Sequence, residues 1–336
     1  MILDVENLKI HYRTRAGAVH AVDGASFVVP EGRIVGLVGE SGCGKTTAVR
    51  AIMGVLAENG YRAGGRLVFK GQEIDEAATR KLRWRDIAYV PQSAMSSLDP
   101  VYTVGAQLVE VLTKRGGASR SAAKKRAAEL FELVGLSERR LADYPHQFSG
   151  GMRQRAAIAM ALALEPSLLL ADEPVTALDV IVQRQILDTL RTLQERLKLS
   201  IVLVTHDISV VAYLCDDVVV MYAGQVIESG PVREVLARPR HPYTMGLRNA
   251  FPDLMSDAMA LVPIHGSPPD LAAPPPGCRF APRCPFAEAA CRTDYPPPAA
   301  TGGHLSACRR DAEADQLRTA ALDPVTWQRS LSYAAS

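Results

Sequence analysis

The residues best suited to chemistry lie early in the chain, in the stretch GESGCGKT from Gly39 to Thr46. This stretch fits G-x-x-x-x-G-K-[ST], a pattern in which glycines let backbone N–H groups surround phosphate oxygens. An apolar run precedes it and helical spacing follows, which disfavours the alternative of a chance glycine loop. Lys45 is expected to reach the β- and γ-phosphates of a nucleotide, and the Thr46 hydroxyl to bind Mg²⁺. The candidate contact residues are Gly39, Ser41, Gly42, Cys43, Gly44, Lys45, Thr46 and Thr47.

An acidic pair in LLLADEP supplies the groups that phosphate chemistry needs besides the loop. Asp172 follows an apolar run and is suited to hold Mg²⁺. Glu173 is suited to orient or deprotonate an attacking water. The alternative is a carboxylate pair that caps a helix after a strand, which is common for isolated pairs. Beside a phosphate-binding loop we favour the catalytic interpretation.

The pattern of apolar residues predicts an α/β fold around these groups. RIVGLVG, SLLLADEP and SIVLVTHD are continuous apolar runs, as expected for parallel strands covered on both faces. RLVFKGQEI alternates around a glycine turn and predicts an antiparallel pair. Residues 96–164 read as mainly helical. Composition changes near Pro239, so we expect a main domain over 1–239 and a Pro- and Gly-rich extension of irregular loops over 240–336.

Overall charge argues against several classes of partner. The chain has 38 Lys and Arg against 36 Asp and Glu, a net charge of +2, which favours neither nucleic acid nor an anionic membrane. No apolar run approaches the ~18 residues that span a bilayer. MILDVENLKI has no basic segment followed by an apolar one, so we expect no secretory signal and a cytoplasmic chain with reduced thiols.

Further motifs narrow the assignment to one family. QFSGGMRQR carries a Ser-Gly-Gly turn, VPQ precedes it, and ALD and VTHD follow in order. Together with the phosphate loop these motifs make residues 1 to about 240 resemble the ATP-binding subunits of ABC transporters. The usual signature is close to L-S-G-G-Q, and here Phe148 and Met152 replace its ends. The resemblance implies a RecA-like core sheet, an antiparallel β subdomain and a helical subdomain. The signature residues are Ser149, Gly150 and Gly151.

The resemblance also implies roles in ATP hydrolysis. Gln92 of VPQ is expected near Mg²⁺ and the helical region, and Asp179 of ALD belongs to the loop between subunits. His206 of VTHD would hydrogen-bond the γ-phosphate, and Tyr12 would stack on adenine. In the family the Ser-Gly-Gly turn closes on ATP bound by a second subunit, which gives a head-to-tail dimer.

The tail resembles one branch of this family. HPYT from His241 to Thr244, a Pro-rich stretch and four cysteines are similar to the C-terminal extension of dipeptide and oligopeptide importer ATPases. This implies two membrane permease subunits, an external substrate-binding protein and a second ATPase, which is a copy or a paralogue. It also implies a peripheral location at the cytoplasmic face of the membrane. Relatives with this tail also import nickel complexes or sugars, so peptides are an inference from the branch.

The four tail cysteines are candidate metal ligands, because a cytoplasmic location disfavours disulfides. Four thiolates and a Cys-Pro pair suit a [4Fe–4S] cluster, with zinc second and free structural thiols third. His304 is a possible substitute ligand, and neighbouring arginines are available to offset negative charge. The cysteines are Cys278, Cys284, Cys291 and Cys308; the arginines are Arg279, Arg283, Arg292 and Arg309.

Spacing favours the cluster over zinc. PFAEAAC reads as a short helix with Cys284 as its cap and Pro285 first. Cys284 and Cys291 would then be separated by roughly 10 Å of helix rise. A single Zn²⁺ needs its sulfurs within roughly 4 Å of each other. We expect this metal-stapled loop to dock beside the ATPase body or its partner, away from the phosphates.

Two other classes of function stay open at this point. One is a soluble ABC ATPase that acts on nucleic acid or ribosomes, although such proteins usually carry a coiled-coil insertion or a second cassette. The other is a metal-stapled regulatory protein that binds ATP as a switch. Glu173 and His206 together favour hydrolysis over a switch.

Overall fold

The computed structural model describes residues 1–92, 97–250 and 263–328. Its centre is an eight-stranded sheet with the order β11-β12-β10-β9-β3-β8-β7-β6. The five strands β6, β7, β8, β3 and β9 run parallel, whereas β10, β12 and β11 pair antiparallel. The bounds are β3 Ile34–Val38, β6 Ile87–Val90, β7 Leu168–Asp172, β8 Ser200–Thr205, β9 Asp217–Tyr222, β10 Gln225–Pro231, β11 Ala299–Thr301 and β12 His304–Ser306.

The central strands confirm the sequence prediction of a parallel sheet. Every residue of β3, β7 and β8 is buried, which matches their continuous apolar runs. Because the strands are parallel, their carboxyl ends meet at one edge, and the loops that follow them carry the predicted chemistry. The phosphate loop follows β3, Asp172 ends β7 and Glu173 follows it, and His206 follows β8.

A second, four-stranded antiparallel sheet covers one side of this core. Its order is β2-β1-β4-β5, and the predicted hairpin in RLVFKGQEI is confirmed by pairing of Val68 with Glu73. The strands are β1 Leu3–Thr14, β2 Gly17–Val29, β4 Gly60–Phe69 and β5 Gln72–Glu73. Their apolar faces pack with α1, Lys45–Met53, and with the sheet in one hydrophobic cluster.

The predicted helical region between the catalytic motifs is confirmed over its described part. It contains α3 Val104–Lys114, α4 Arg120–Leu133 and α5 Gly150–Ala161. Ser119 and Ser149 cap α4 and α5 by accepting from the backbone N–H groups of Ala122 and Met152. Ser96, where this region was predicted to begin, lies outside the described residues. The remaining helices of the main domain are α2 Glu76–Leu82, α6 Val180–Leu197, α7 Ile208–Leu214 and α8 Val232–Ala237.

The C-terminal extension is more ordered than its Pro and Gly content predicted. The hairpin β11–β12 joins the central sheet, where Glu228 of β10 pairs with Ser306. Tyr243, Phe280 and Trp327 are fully buried and pack in the same hydrophobic cluster as the sheet. The helices are α9 Pro242–Asn249, α10 Ala289–Thr293, α11 Ala314–Ala321 and α12 Pro324–Gln328.

The helix predicted in PFAEAAC begins later than expected. Helix α10 starts at Ala289, and Cys284 does not cap it. Instead, the Ala287 N–H donates to the Cys284 carbonyl oxygen at 3.2 Å, which closes a turn with Pro285 at its second position. Proline is favoured both at this turn position and at the start of a helix, and in this structure Pro285 occupies the turn. Within the part of the chain described, none of the helices has the length and apolarity that crossing a bilayer requires.

Candidate nucleotide-binding and hydrolysis site

The phosphate loop lies between β3 and α1, as predicted. Gly39 and Gly44 have φ of 156° and 102°, a region where a side chain is strained, and a Cβ at either would meet a backbone oxygen. Lys45 begins α1 and is only 5% exposed. Its Nζ donates to the carbonyl oxygens of Gly39 at 2.7 Å and Glu40 at 2.9 Å. The ammonium group is therefore held within the loop, where phosphate oxygens are expected to bind.

Asp172 and Thr46 meet at the expected magnesium position. Thr46 Oγ1 donates to Asp172 Oδ1 at 3.0 Å, and the Tyr89 hydroxyl donates to Asp172 Oδ2 at 3.0 Å. Asp172 is fully buried, and burial raises the pKa of its carboxyl group despite these hydrogen bonds. A carboxylate and a hydroxyl are ligands that Mg²⁺ prefers, so the pair is chemically suited to that ion. Tyr89 was not predicted; its position directly before VPQ was the available signal.

Glu173 is surrounded by three polar side chains. Gln92 Nε2 donates to its Oε2 at 2.9 Å, and Thr176 Oγ1 donates to the same oxygen at 3.0 Å. His206 Nδ1 lies 3.2 Å from Oε1. Partial burial raises the pKa of Glu173, but hydrogen bonds from His206 and Thr176 lower it more, so the pKa lies below its usual value. The side chain is thus an oriented carboxylate. Thr176 was missed, although it lies only three residues after Glu173.

A cavity of about 460 Å³ opens over these groups. Gln92, Glu173 and His206 line it together with the phosphate loop, so the structure brings the three predicted catalytic side chains to one space. Among the described residues, Ser149 and Asp179 do not line this cavity. Each instead caps the helix that it precedes. This separation agrees with a signature that acts on the nucleotide of another subunit. The extension completes the wall with Leu247, Ala250, Pro263 and Ile264.

Tyr12, the predicted adenine contact, lies beside the start of α1. Its hydroxyl is 3.5 Å from Thr47 Oγ1. His11, His20 and Asp23 lie close by, with one ligand atom each within 4.8 Å of the others. Asp23 is ion-paired with Arg279, whose positive charge disfavours a cation at this cluster.

The four tail cysteines converge, as the metal hypothesis requires. All four are free thiols and line one cavity with His241 and Phe280. Burial raises the pKa of Cys278, Cys284 and Cys308, and the neighbouring cysteines of the group raise it further. In any set of three of the four sulfurs, at least one pair is more than 4.8 Å apart.

Three expectations about this tail are wrong. His304 is not available as a ligand, because its Nε2 is 2.7 Å from Oε1 of the buried Glu228. Arg279 and Arg283 do not offset the negative charge of the cysteine site, because they pair with Asp23 and Glu40 of the ATPase body. The loop also does not dock away from the phosphates, since Glu40 belongs to the phosphate loop.

The cysteines outside the tail behave as packing residues. Cys43 and Cys215 are buried at 3% and 7% exposure, and burial raises the pKa of both thiols. Cys43 lies within the phosphate loop, where its Sγ is 3.6 Å from Lys45 Nζ.

A parallel sheet with a phosphate loop, a buried aspartate and an oriented glutamate defines a nucleoside triphosphatase of the ATP-binding cassette class. Residues 22–176 match the family described as ABC transporter, and residues 227–291 match the C-terminal region of oligopeptide/dipeptide transporters. The chain belongs to the family of ABC transporter ATP-binding subunits, in its oligopeptide/dipeptide branch. It is accordingly an ATPase coupled to transport.

Individual relatives and structures agree with this placement. A putative peptide import ATP-binding protein of Brucella abortus is 43% identical over 312 residues, covering 91% of this chain and 94% of the relative. A dipeptide transport ATP-binding protein of Bacillus subtilis is 44% identical over 301 residues, covering 88% and 90%. The ATP-binding cassette MJ0796, a dimer bound to ADP and phosphate, superposes with a TM-score of 0.61 at 29% identity over 69% of this chain and 99% of that chain. The cbiO1 protein of Clostridium perfringens, part of an ABC transporter complex, gives 0.63 at 30% identity over 70% and 90%.

Proposed function

We propose that this chain hydrolyses ATP to power the import of dipeptides or oligopeptides through membrane permease subunits. Peptides are chosen because the relatives with matching length carry peptide or dipeptide transport in their names. Nickel complexes and sugars are the related cargo that the same branch would accommodate. The subunit works at the cytoplasmic face of the membrane as a peripheral protein.

The observation that carries the hydrolytic role is Glu173 held between Gln92 and His206. Lys45 and the loop N–H groups would bind the phosphates, and Thr46, Asp172 and Gln92 would hold Mg²⁺, which would offset charge on the phosphate oxygens. Glu173 accepts a proton from the attacking water, for which its lowered pKa keeps it ionised. His206 donates to the γ-phosphate, and Tyr12 stacks on adenine.

Complete sites require a second ATPase subunit. Ser149, Gly150 and Gly151 lie at the start of α5, where free N–H groups and the helix dipole suit an anion. They are outside the described lining of this chain's own cavity, and Asp179 with the exposed Val180 and Ile181 lies at the start of α6. We propose that these elements close on the nucleotide of a paralogue or a second copy.

A groove between the sheet and the helical region is the proposed permease contact. The cavity there has a volume of about 560 Å³, and its mostly apolar lining includes the charged residues Arg83, Asp99 and Glu110. Tyr102, which lines the groove, and the adjacent Val101 are exposed, at 59% and 72%. An amphipathic helix of a permease subunit would cover this apolar surface, with charges available at its ends. Gln92, next to the groove, would transmit a movement of the bound permease helix to Glu173.

We propose that the four tail cysteines hold a [4Fe–4S] cluster, with zinc as the alternative. The four cysteines line one cavity, and no three of their sulfurs lie within 4.8 Å of one another, which favours a cluster over a single Zn²⁺, whose tetrahedral sulfurs lie about 4 Å apart. A bound cluster supplies a covalent cross-link among four chain segments. We propose a mainly structural role for it, with redox sensing as the alternative.

Two measurements test these proposals. ATPase activity of the native chain is expected to be low alone and to rise with both permease subunits and a loaded external binding protein. Equal rates with and without the permease would remove the transport role.

Anaerobic purification is expected to give about four iron and four sulfide per chain with visible absorption, as for cubane ligation. Stoichiometric zinc without visible absorption would rule out the iron–sulfur cluster and leave a zinc site with the same structural role.

A further inference from the structure

The extension reaches the phosphate loop through one arginine. Arg283 Nη1 and Nη2 donate to Glu40 Oε2 and Oε1 at 2.8 and 3.0 Å, a bidentate pair. Glu40 is the second residue of GESGCGKT, and Arg283 immediately precedes Cys284. Arg283 is only 6% exposed, so water competes little with this pair. Parallel hydrogen bonds between ionised groups are stronger and geometrically stricter than single neutral ones.

The Arg283 guanidinium is fixed by groups other than Glu40. Nη1 also donates to the Tyr222 hydroxyl at 3.1 Å, at the end of β9. Nε donates to the His265 carbonyl oxygen at 2.9 Å. Contacts other than Glu40 therefore anchor the guanidinium group to the central sheet and to the extension. They fix the orientation of the two N–H donors that face Glu40.

The backbone of Glu40 is held as firmly as its side chain. Its N–H donates to the hydroxyl of Tyr243 at 2.9 Å, and its carbonyl oxygen accepts from Lys45 Nζ at 2.9 Å. Tyr243 is fully buried on α9 of the extension. Two of the three polar groups of Glu40 thus depend on the extension, and the third contacts the lysine expected to bind phosphate.

The cysteine loop CRFAPRC directs its cysteines and its arginines to different places. Cys278 and Cys284, at its ends, line the cysteine cavity. Arg279 and Arg283, next to them, reach Asp23 and Glu40 in the ATPase body. The conformation that gathers the thiols is consequently the conformation that aims both arginines.

We propose that Arg283 and Tyr243 are positioning residues for ATP binding. They hold Glu40 so that the loop is already arranged for phosphate, and the cysteine site keeps Arg283 in place. A loop ordered before binding loses less conformational entropy when the ligand arrives, which increases affinity. This inference rests on the proposed role of GESGCGKT in binding ATP.

The test compares Arg283→Met with Arg309→Met in the full chain. Arg309 also neighbours a cluster cysteine, but it pairs with the exposed Asp294 instead of the phosphate loop. We expect Arg283→Met to raise the Kd for Mg-ATP and the KM about tenfold, with kcat within twofold, as for loss of a charged hydrogen-bonded pair. Arg309→Met is expected to match the native chain. Arg283→Lys, which keeps the charge without the fork, should give an intermediate Kd.

Glu40→Gln breaks the same pair from the loop side. We expect it to raise the Kd to a similar degree, and the double variant with Arg283→Met to add little, as for residues that act through one contact. Native Kd values in Arg283→Met and Glu40→Gln overturn the inference. If Arg283→Met loses metal, Glu40→Gln decides, because Glu40 is outside the extension. Failure of the native chain to bind ATP would instead overturn the proposed function.

Discussion

The side-chain amide of Gln92 donates to the carboxylate of Glu173 across 2.9 Å. Gln92 follows β6 and leads toward the helical region, whereas Glu173 directly follows β7, a central strand of the sheet. The same glutamate lies 3.2 Å from His206, which follows the neighbouring strand β8. A displacement of the helical region therefore reaches the proposed base through a single hydrogen bond.

Gln92→Ala is expected to uncouple the ATPase from its membrane partner. ATP affinity should stay within about threefold, because Lys45 and the loop provide most phosphate contacts. Stimulation by permease and loaded binding protein should be lost, because the contact to Glu173 is removed. Basal and stimulated ATPase rates check this, with Gln72→Ala, an exposed glutamine on β5, as control. Full stimulation in the variant would contradict the coupling role of Gln92.

Glu173→Gln is expected to abolish turnover while ATP still binds. Glutamine keeps the size and polarity of the side chain but cannot accept the proton, a loss of about 10²–10⁴ in rate for a general base. Single-turnover hydrolysis and Mg-ATP binding should be measured side by side. Glu195→Gln, on the exposed face of α6, is the control and should match the native rate. Hydrolysis at the native rate in Glu173→Gln would disprove the assignment.

Lys45→Ala is expected to weaken nucleotide binding itself. The ammonium group is almost entirely buried within the loop, and no other lysine contacts Gly39 or Glu40 in the described part of the chain. Equilibrium binding of Mg-ATP should show a loss of at least tenfold, the size expected for a charged phosphate contact. Lys124→Ala, exposed on α4, should bind normally. Similar affinities for the two variants would count against the role of Lys45.

Cys284→Ser combined with Cys291→Ser is expected to remove the metal. With two ligands lost, the extension should become sensitive to protease between residues 265 and 310, because metal binding and ordering of the site are coupled. ATP should still bind through Lys45, although more weakly, since Arg283 loses its support. Cys215→Ala removes a buried thiol outside the cavity and should retain iron. Retention of full iron by the double variant would refute the ligand assignment.

His241 should make the extension less stable in mild acid. Burial lowers its pKa to about 3, so the folded protein holds it neutral while the unfolded chain binds a proton below its usual value of 6.5. Stability from this group is therefore complete above pH 6.5 and is lost as pH falls toward 3, by at most about 1.4 kcal/mol per pH unit. Denaturant unfolding at pH 5 and 7 should show a smaller difference in His241→Asn, which retains an oxygen to cap Tyr243. An equal difference would exclude His241 as the source.

The site core was predictable because its residues are local to strand ends. GESGCGKT, LLLADEP and VTHD each follow a continuous apolar run, and parallel strands bring such ends to one edge. Sequence order alone therefore placed Lys45, Asp172 and His206 together. Tyr89 and Thr176 escaped notice because their residue types have no fixed meaning until their distance to a carboxylate is known.

Contacts of the extension could not be read in this way. Glu40 and Arg283 are 243 positions apart, and nothing in either neighbourhood specifies the other. An arginine beside a cysteine is equally consistent with charge compensation, and only the loop conformation decides where it points. Pro285 likewise suits a turn and a helix start, so PFAEAAC did not determine where α10 begins.

The hairpin β11–β12 has a consequence for solubility. Without it, β10 would be the outermost strand of the central sheet and would present unpaired backbone N–H and C=O groups to any passing chain. Tyr243 and Phe280, which the extension buries, would be missing from the same flank and leave apolar surface behind. A fragment that stops at residue 239 would therefore expose both an unpaired strand edge and an apolar surface patch, a combination that promotes aggregation.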